Sequence, residues 1–209
     1  MSYTRPEATA TARERQPVVT QAQDHERTGN KRTAAAARTR QKLIETGLEL
    51  AEHLGLEGLS VNAVVAGAGV SKGTFFHHFP DRTGYLVALH RRFHDALADE
   101  FWSAIGEMAP GRERLAAAAR IYLDGCLRDR GVKALLLEAR GHRPIADEVL
   151  DRNRRNVDIV AADFEAMDRR HPRQSARLWV AATAECALME LELGRADPET
   201  RAALDALVS

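Results

Sequence analysis

A chain of 209 residues with 44% apolar and 29% charged residues has enough material for a real hydrophobic core. No run approaches the roughly 20 apolar residues of a membrane span, and the N-terminus is polar; the expected setting is the cytoplasm, with no membrane partner. The two cysteines, Cys126 and Cys186, lack metal-type spacing, so neither a disulfide framework nor a metal site is indicated.

The formal net charge is zero but unevenly spread. Residues 1–42 carry nine Lys/Arg and four Asp/Glu; residues 43–209 carry 21 and 26. Residues 1–36, with Pro6, Pro17 and Gly29, read as a disordered basic arm that either meets a polyanion or is a solvated tail. From Arg38 the pattern turns helical, with Leu43, Gly47, Leu50, Ala51 and Leu54 on one face and Gly55 as the stop. Ser60 and Ser71 are N-caps for two short helices flanking Ala68-Gly69-Val70, and Pro80-Asp81 opens a long helix that ends at Pro110-Gly111. Further helices are expected at about 112–129, 132–140, 144–169, 173–193 and 198–208, punctuated by Gly131, Gly141, Pro172 and Pro198. The fold class is therefore all-α with about nine helices. A three-helix head spans 37–80 and a helical body 81–209.

The stretch SVNAVVAGAGVSKGTFFHHFP (60–80) also looks like a strand entering a glycine-rich dinucleotide turn. Its glycines, 67, 69 and 73, are one residue too widely spaced, Pro80 cuts the following helix short, and no second strand follows. Helical spacing accounts for every residue. Val61, Val64 and Val65 face inward, Gly69 supplies the positive φ of a tight turn, and Phe75 with Phe79 pins the second helix. Lys72, Gly73, Thr74, Phe76 and His77 then point outward, a poor core but a suitable groove-facing surface. Gly67 inside the first helix is expected to weaken it by about 1 kcal/mol relative to Ala.

The run LSVNAVVAGAGVSKGTFFHHFPDRTGYL resembles the DNA-binding head of TetR-family transcriptional regulators over about residues 40–95. Its AGVSKGTFFHHF core carries the likeness. The resemblance implies a homodimer on double-stranded DNA, repressing from a pseudo-palindromic operator and released by a small-molecule effector. By position, Lys72, Thr74 and His77 are candidates to read bases, and Gly73 permits close backbone approach. The resemblance adds His78, Arg82, Ser60 and the capped helix end as phosphate contacts, with Ser71 as the cap of the reading helix. Asn62 is placed to reach a base, and Arg40 to track the backbone. Phe76 departs from the family pattern, which usually has Tyr there and a phosphate bond from its hydroxyl.

In the body, LWVAATAECALMELELG (178–194) is apolar nearly all round and needs partners on every side. Leu178, Trp179, Ala182, Cys186, Met189 and Leu193 are the candidate dimer interface; the other reading is a buried core helix. In 144–169, Asn153 and Asn156 share the inner stripe of Ile145, Val149, Val160, Phe164 and Met167, and buried amides need partners from protein or ligand. Trp102, Tyr122, Glu138 and His142 are candidates to line the same cavity. His90 and His94, at i and i+4, lack a third ligand and read as helix surface. No catalytic motif marks an enzyme, and no cofactor is implied. The rival reading is a DNA-binding architectural protein without an effector.

Overall fold

A computed structural model describes the backbone of residues 20–209, with side chains from Lys31 onward. The chain divides into two units, residues 1–39 and 40–209. The described residues form nine α-helices and one short 3-10 turn, with no strand among them. In chain order these are α1 (Thr20–Gly58), α2 (Val61–Ala68), α3 (Lys72–His78), α4 (Arg82–Ile105), α5 (Arg112–Arg128), α6 (Arg130–Glu138), the turn Ala139–Gly141, α7 (Arg143–Ala166), α8 (Pro172–Leu193) and α9 (Pro198–Ala206). No described helix is long and apolar enough to cross a membrane.

Helix α1 begins at Thr20, well inside the stretch expected to lack structure; residues 1–19 of the basic arm lie outside the described residues. Between Thr20 and Ala37 there is no proline and only Gly29, while alanine, glutamine and arginine are plentiful, so intrinsic preference favours helix there. Within residues 31–39 the Thr39 hydroxyl bonds back to the Ala35 carbonyl (3.1 Å). Gly55 breaks the ladder as expected, at φ 61° and ψ −176°, but one more turn follows to Gly58.

The start of each head helix is set by a side chain. Ser60 Oγ accepts from Ala63 N (3.2 Å), Ser71 Oγ from Thr74 N (3.1 Å) and Asp81 Oδ1 from Gly84 N (2.7 Å), satisfying amides that a helix start leaves orphaned. Gly69, at φ 63°, ends α2 with Val70 N bonded to Val65 O (3.0 Å), a left-handed cap that a Cβ would strain. Around these turns Leu43, Ile44, Val64, Phe75, Phe79 and Tyr85 are buried, with Phe75 and Phe79 ring centroids 5.1 and 5.0 Å from Tyr85. The Tyr85 hydroxyl donates to Leu43 O (2.7 Å), which satisfies the one polar atom the cluster buries. Gly67 also has a packing reason. A Cβ there would come within 2.9 Å of the buried Thr46 methyl on α1, so glycine is what lets α2 lie close to α1.

The body packs α7 against α8, and both against α5. Two buried ion pairs lock its register. Arg114 on α5 makes a fork to Asp163 on α7 (2.7 and 2.8 Å), and Asp163 also accepts from Gly111 N (2.8 Å). Glu190 on α8, fully buried, takes two bonds from Arg201 on α9 (2.6 and 2.8 Å) and one from Asp197 N (2.9 Å). Each buried carboxylate thus has several donors, the condition under which such a charge is tolerated.

Head and body meet across α6. Glu52 on α1 accepts from Gly131 N (3.1 Å) and Val132 N (3.2 Å), placing an anion on the free amides of the α6 N-terminus. At the other end of α6, Glu138 accepts from Leu56 N (3.1 Å), just beyond the Gly55 break. Gly131 therefore lies inside α6 rather than before it, and its missing side chain lets the α1 backbone approach.

Candidate nucleic-acid interface and ligand cavity

Helix α3 has its apolar side buried through Phe75 and its opening turn free. Lys72, Gly73, Phe76 and His77 are exposed, and Thr74 is half-buried with its hydroxyl 2.9 Å from Ser71 Oγ. Ser71 is exposed at the cap, Asn62 is exposed on α2, and Ser60 is half-buried as the α2 cap. Phe76 is 51% exposed, and its ring meets Phe75 edge-on at 5.4 Å. Arg40 is exposed, with its guanidinium 5.0 Å from the Phe79 ring centre, and His78 is half-buried beside His77. Burial first, then the neighbouring His77 and Arg40, lowers the His78 pKa. Seven of the eleven candidates, Ser71, Lys72, Gly73, Thr74, Phe76, His77 and His78, belong to α3 or its N-cap.

Arg82 is the exception. It is half-buried and donates to the carbonyls of Leu59 (3.0 Å) and Leu56, closing the C-terminal end of α1. Leu56 lies in the last turn of α1 and Leu59 just after it, so the guanidinium is held by the fold and only its remaining N–H groups could face a phosphate.

Behind the head, α4, α5, α7 and α8 enclose a cavity of about 150 Å³. Trp102, Tyr122, Asn153 and Asn156 line it, as the sequence suggested. Glu138 and His142 do not: both are exposed, Glu138 grips the α1 end, and His142 precedes α7. No local pattern in the sequence indicates that α6 turns Glu138 toward the head. The cavity also gathers His90, His94, Phe101, Arg140, Arg152 and Trp179. His90 is 3% exposed, so the surface reading of the histidine pair is wrong; they sit 4.4 Å apart on the inner face of α4. The stripe Leu86, Leu89, Phe93, Leu97 was the available signal, because His90 and His94 each follow one of its members by a single position. Burial, followed by the charge of Arg152, pushes His90 down to about 4, against the opposing pull of Glu148. Burial and Lys133 likewise hold His94 well below its ordinary value. No group of three or more His, Cys, Asp or Glu among the described residues could hold a metal.

On α8, Leu178 (72% exposed), Met189 and Leu193 are exposed and Ala182 is half-buried on the same stripe. Trp179 and Cys186 face the other way. Both are buried within the subunit, Trp179 as part of the cavity wall, so the apolar character of this helix reflects two distinct faces.

A capped three-helix head presenting a short, exposed second helix defines the helix-turn-helix class. Residues 43–89 match the sequence model for bacterial regulatory proteins, tetR family. The chain is 27% identical over 133 residues to the HTH-type transcriptional regulator CymR of Pseudomonas putida, a match spanning 62% of this chain and 64% of that protein. A crystal structure of a transcriptional regulator from Rhodococcus sp. Rha1 has the same fold, with TM-score 0.69 at 24% identity over 81% of this chain and 93% of that one. The multidrug binding protein EbrR, solved in complex with imidazole, has TM-score 0.66 at 25% identity over 81% and 94% of the two chains.

Proposed function

We propose that the protein is a DNA-binding transcriptional repressor that docks as a homodimer on a pseudo-palindromic operator and is released by a small molecule. The α3 start carries this reading: Lys72, Gly73 and Thr74 are presented by the Ser71 cap on a helix clamped by Phe75. Helix-turn-helix heads put such N-terminal residues on base edges, with lysine suited to guanine and threonine to the thymine methyl. Ser60, Asn62, His77, His78 and Arg40 form the surrounding contact surface. Residues 37–80 act as the DNA-binding head, 81–209 as the effector and dimerisation body, and the basic segment 1–36 as an arm near the polyanion.

One head reads few base pairs, so two copies are needed for useful affinity. The exposed stripe Leu178, Ala182, Met189 and Leu193 supports pairing through α8. The α4–α8 cavity is the effector site, in keeping with EbrR, whose structure holds imidazole. Tyr122 on its wall accepts from Lys133 on α6 (2.8 Å), and α6 holds α1 through Glu52, so a ligand that moves Tyr122 acts on the head through two contacts. A coupling of about 1–3 kcal/mol changes operator affinity about 5- to 150-fold.

Footprinting of the purified protein on DNA upstream of its own gene tests this. Protection of an inverted repeat with half-sites one or two helical turns apart is expected; protection without dyad symmetry, or none, would count against it.

A further inference from the structure

Taking the cavity as the effector site, we infer that its ligand is a single-ring aromatic carboxylate, seated with the ring among Trp102, Tyr122 and Trp179 and the carboxylate toward Arg152 and His90. The volume sets the size. About 150 Å³ is the scale of a cavity that takes up one benzene ring. The walls set the character of the body of the ligand: Phe101, Trp102, Tyr122 and Trp179 all face the space.

Charge sets the head group. Arg140 and Arg152 are among the lining residues, and no aspartate or glutamate is. Glu148, close enough to be felt by His90, is engaged by Arg91 (2.7 Å) and Arg155 (3.5 Å). Arg152 has one carboxylate partner, Asp95 (2.6 Å), through one terminal nitrogen. Two buried polar atoms among the described residues have no hydrogen-bond partner, Arg152 Nε and His90 Nδ1, and both belong to cavity residues. Arg152 Nε can only donate, and neutral His90 donates from Nδ1 in one of its tautomers. Unpartnered buried polar atoms are costly, and two such donors, one of them on a guanidinium whose Nε is still free, are suited to a pair of carboxylate oxygens. A cation would meet two arginines that have one carboxylate, Asp95, between them, and a neutral amide would supply no counter-charge.

The two tryptophans of the chain both line the cavity, so their fluorescence reports entry of a ligand without any DNA. The full-length protein is titrated with benzoate, its neutral analogue benzamide, and the cation benzylamine. Benzoate is expected to bind at least about tenfold tighter than benzamide, the effect of one charge-assisted hydrogen bond, and benzylamine weakest. Arg152→Gln should remove most of that preference while leaving benzamide within about twofold; Arg140→Gln, at an exposed position, provides a second variant if Arg152→Gln does not fold. If benzamide or benzylamine binds as well as benzoate, or if benzoate is indifferent to both substitutions, the anion assignment is overturned and the cavity remains a ligand site. If none of the three changes the fluorescence, the effector-site reading falls as well.

Discussion

Replacing Gly131 with alanine should loosen the grip of α6 on the head. A Cβ at that position would lie 2.5 Å from Glu52 Cα, 2.8 Å from its carbonyl oxygen and 2.9 Å from its carbonyl carbon. These are backbone atoms and cannot rotate away. Ordinary contact begins at 3.4 Å, so the two segments must part by 0.9 Å, the difference between 3.4 and 2.5. Adding that gap to the 3.1 and 3.2 Å bonds from Gly131 N and Val132 N to the Glu52 carboxylate takes both to about 4 Å, beyond hydrogen bonding. Bonds to charged groups contribute about 1.5–3 kcal/mol each, and Glu52 is only half-buried, so water recovers part; a net loss of about 2–3 kcal/mol is expected. For a domain of this size that lowers Tm by about 4–12 °C. The assay is thermal unfolding of the wild type, Gly131→Ala, Glu52→Gln and the double variant. Because both changes remove the same contact, the double variant should be little worse than the worse single one. An unchanged Tm in Gly131→Ala, or fully additive losses, would refute the contact.

Two further outcomes follow from the same geometry. Phe76→Tyr adds a hydroxyl at an exposed ring on the proposed DNA surface; one new phosphate bond should tighten operator binding by about two- to tenfold in gel shift, and a weaker complex would mean the ring does not face the backbone. Acidification should destabilise the protein above the range where carboxylates titrate. Folded His90 titrates at about 4 rather than 6.5, so between those values the unfolded chain binds a proton that the folded one refuses. Stability is therefore complete above pH 6.5 and falls as pH drops toward 4, by up to about 3 kcal/mol, with His94 adding in the same direction. Unfolding measured at pH 7.5 and 5 should show this slope, and His90→Gln should flatten it; equal slopes in the two proteins would remove His90 as its source.

The head was legible because its determinants are local. Ser60, Ser71 and Asp81 cap within three residues, Gly69 turns on its own φ, and Phe75 with Phe79 follows helical spacing. What escaped the sequence depends on neighbours far along the chain. Glu138 meets Leu56 across 82 positions, and Arg82 closes carbonyls 23 and 26 residues away, so a charge that could serve a ligand or a phosphate is held by another helix. In α8 an all-round apolar pattern cannot say which face turns inward, which is why Trp179 and Cys186 were grouped with the exposed Leu178 and Met189. His90 and His94 were missed for the opposite reason. A polar residue beside an apolar stripe looks solvated until a cavity is found beneath it.

The most direct test of the account is selection of binding sites from randomised duplex DNA by the wild type, Lys72→Ala and Thr74→Ala. The wild type should recover an inverted repeat, and each variant should lose preference at one or two base pairs, at the same place in both half-sites. Uniform weakening with an unchanged preferred sequence, or recovery of no common sequence by the wild type, would contradict the claim that α3 reads bases.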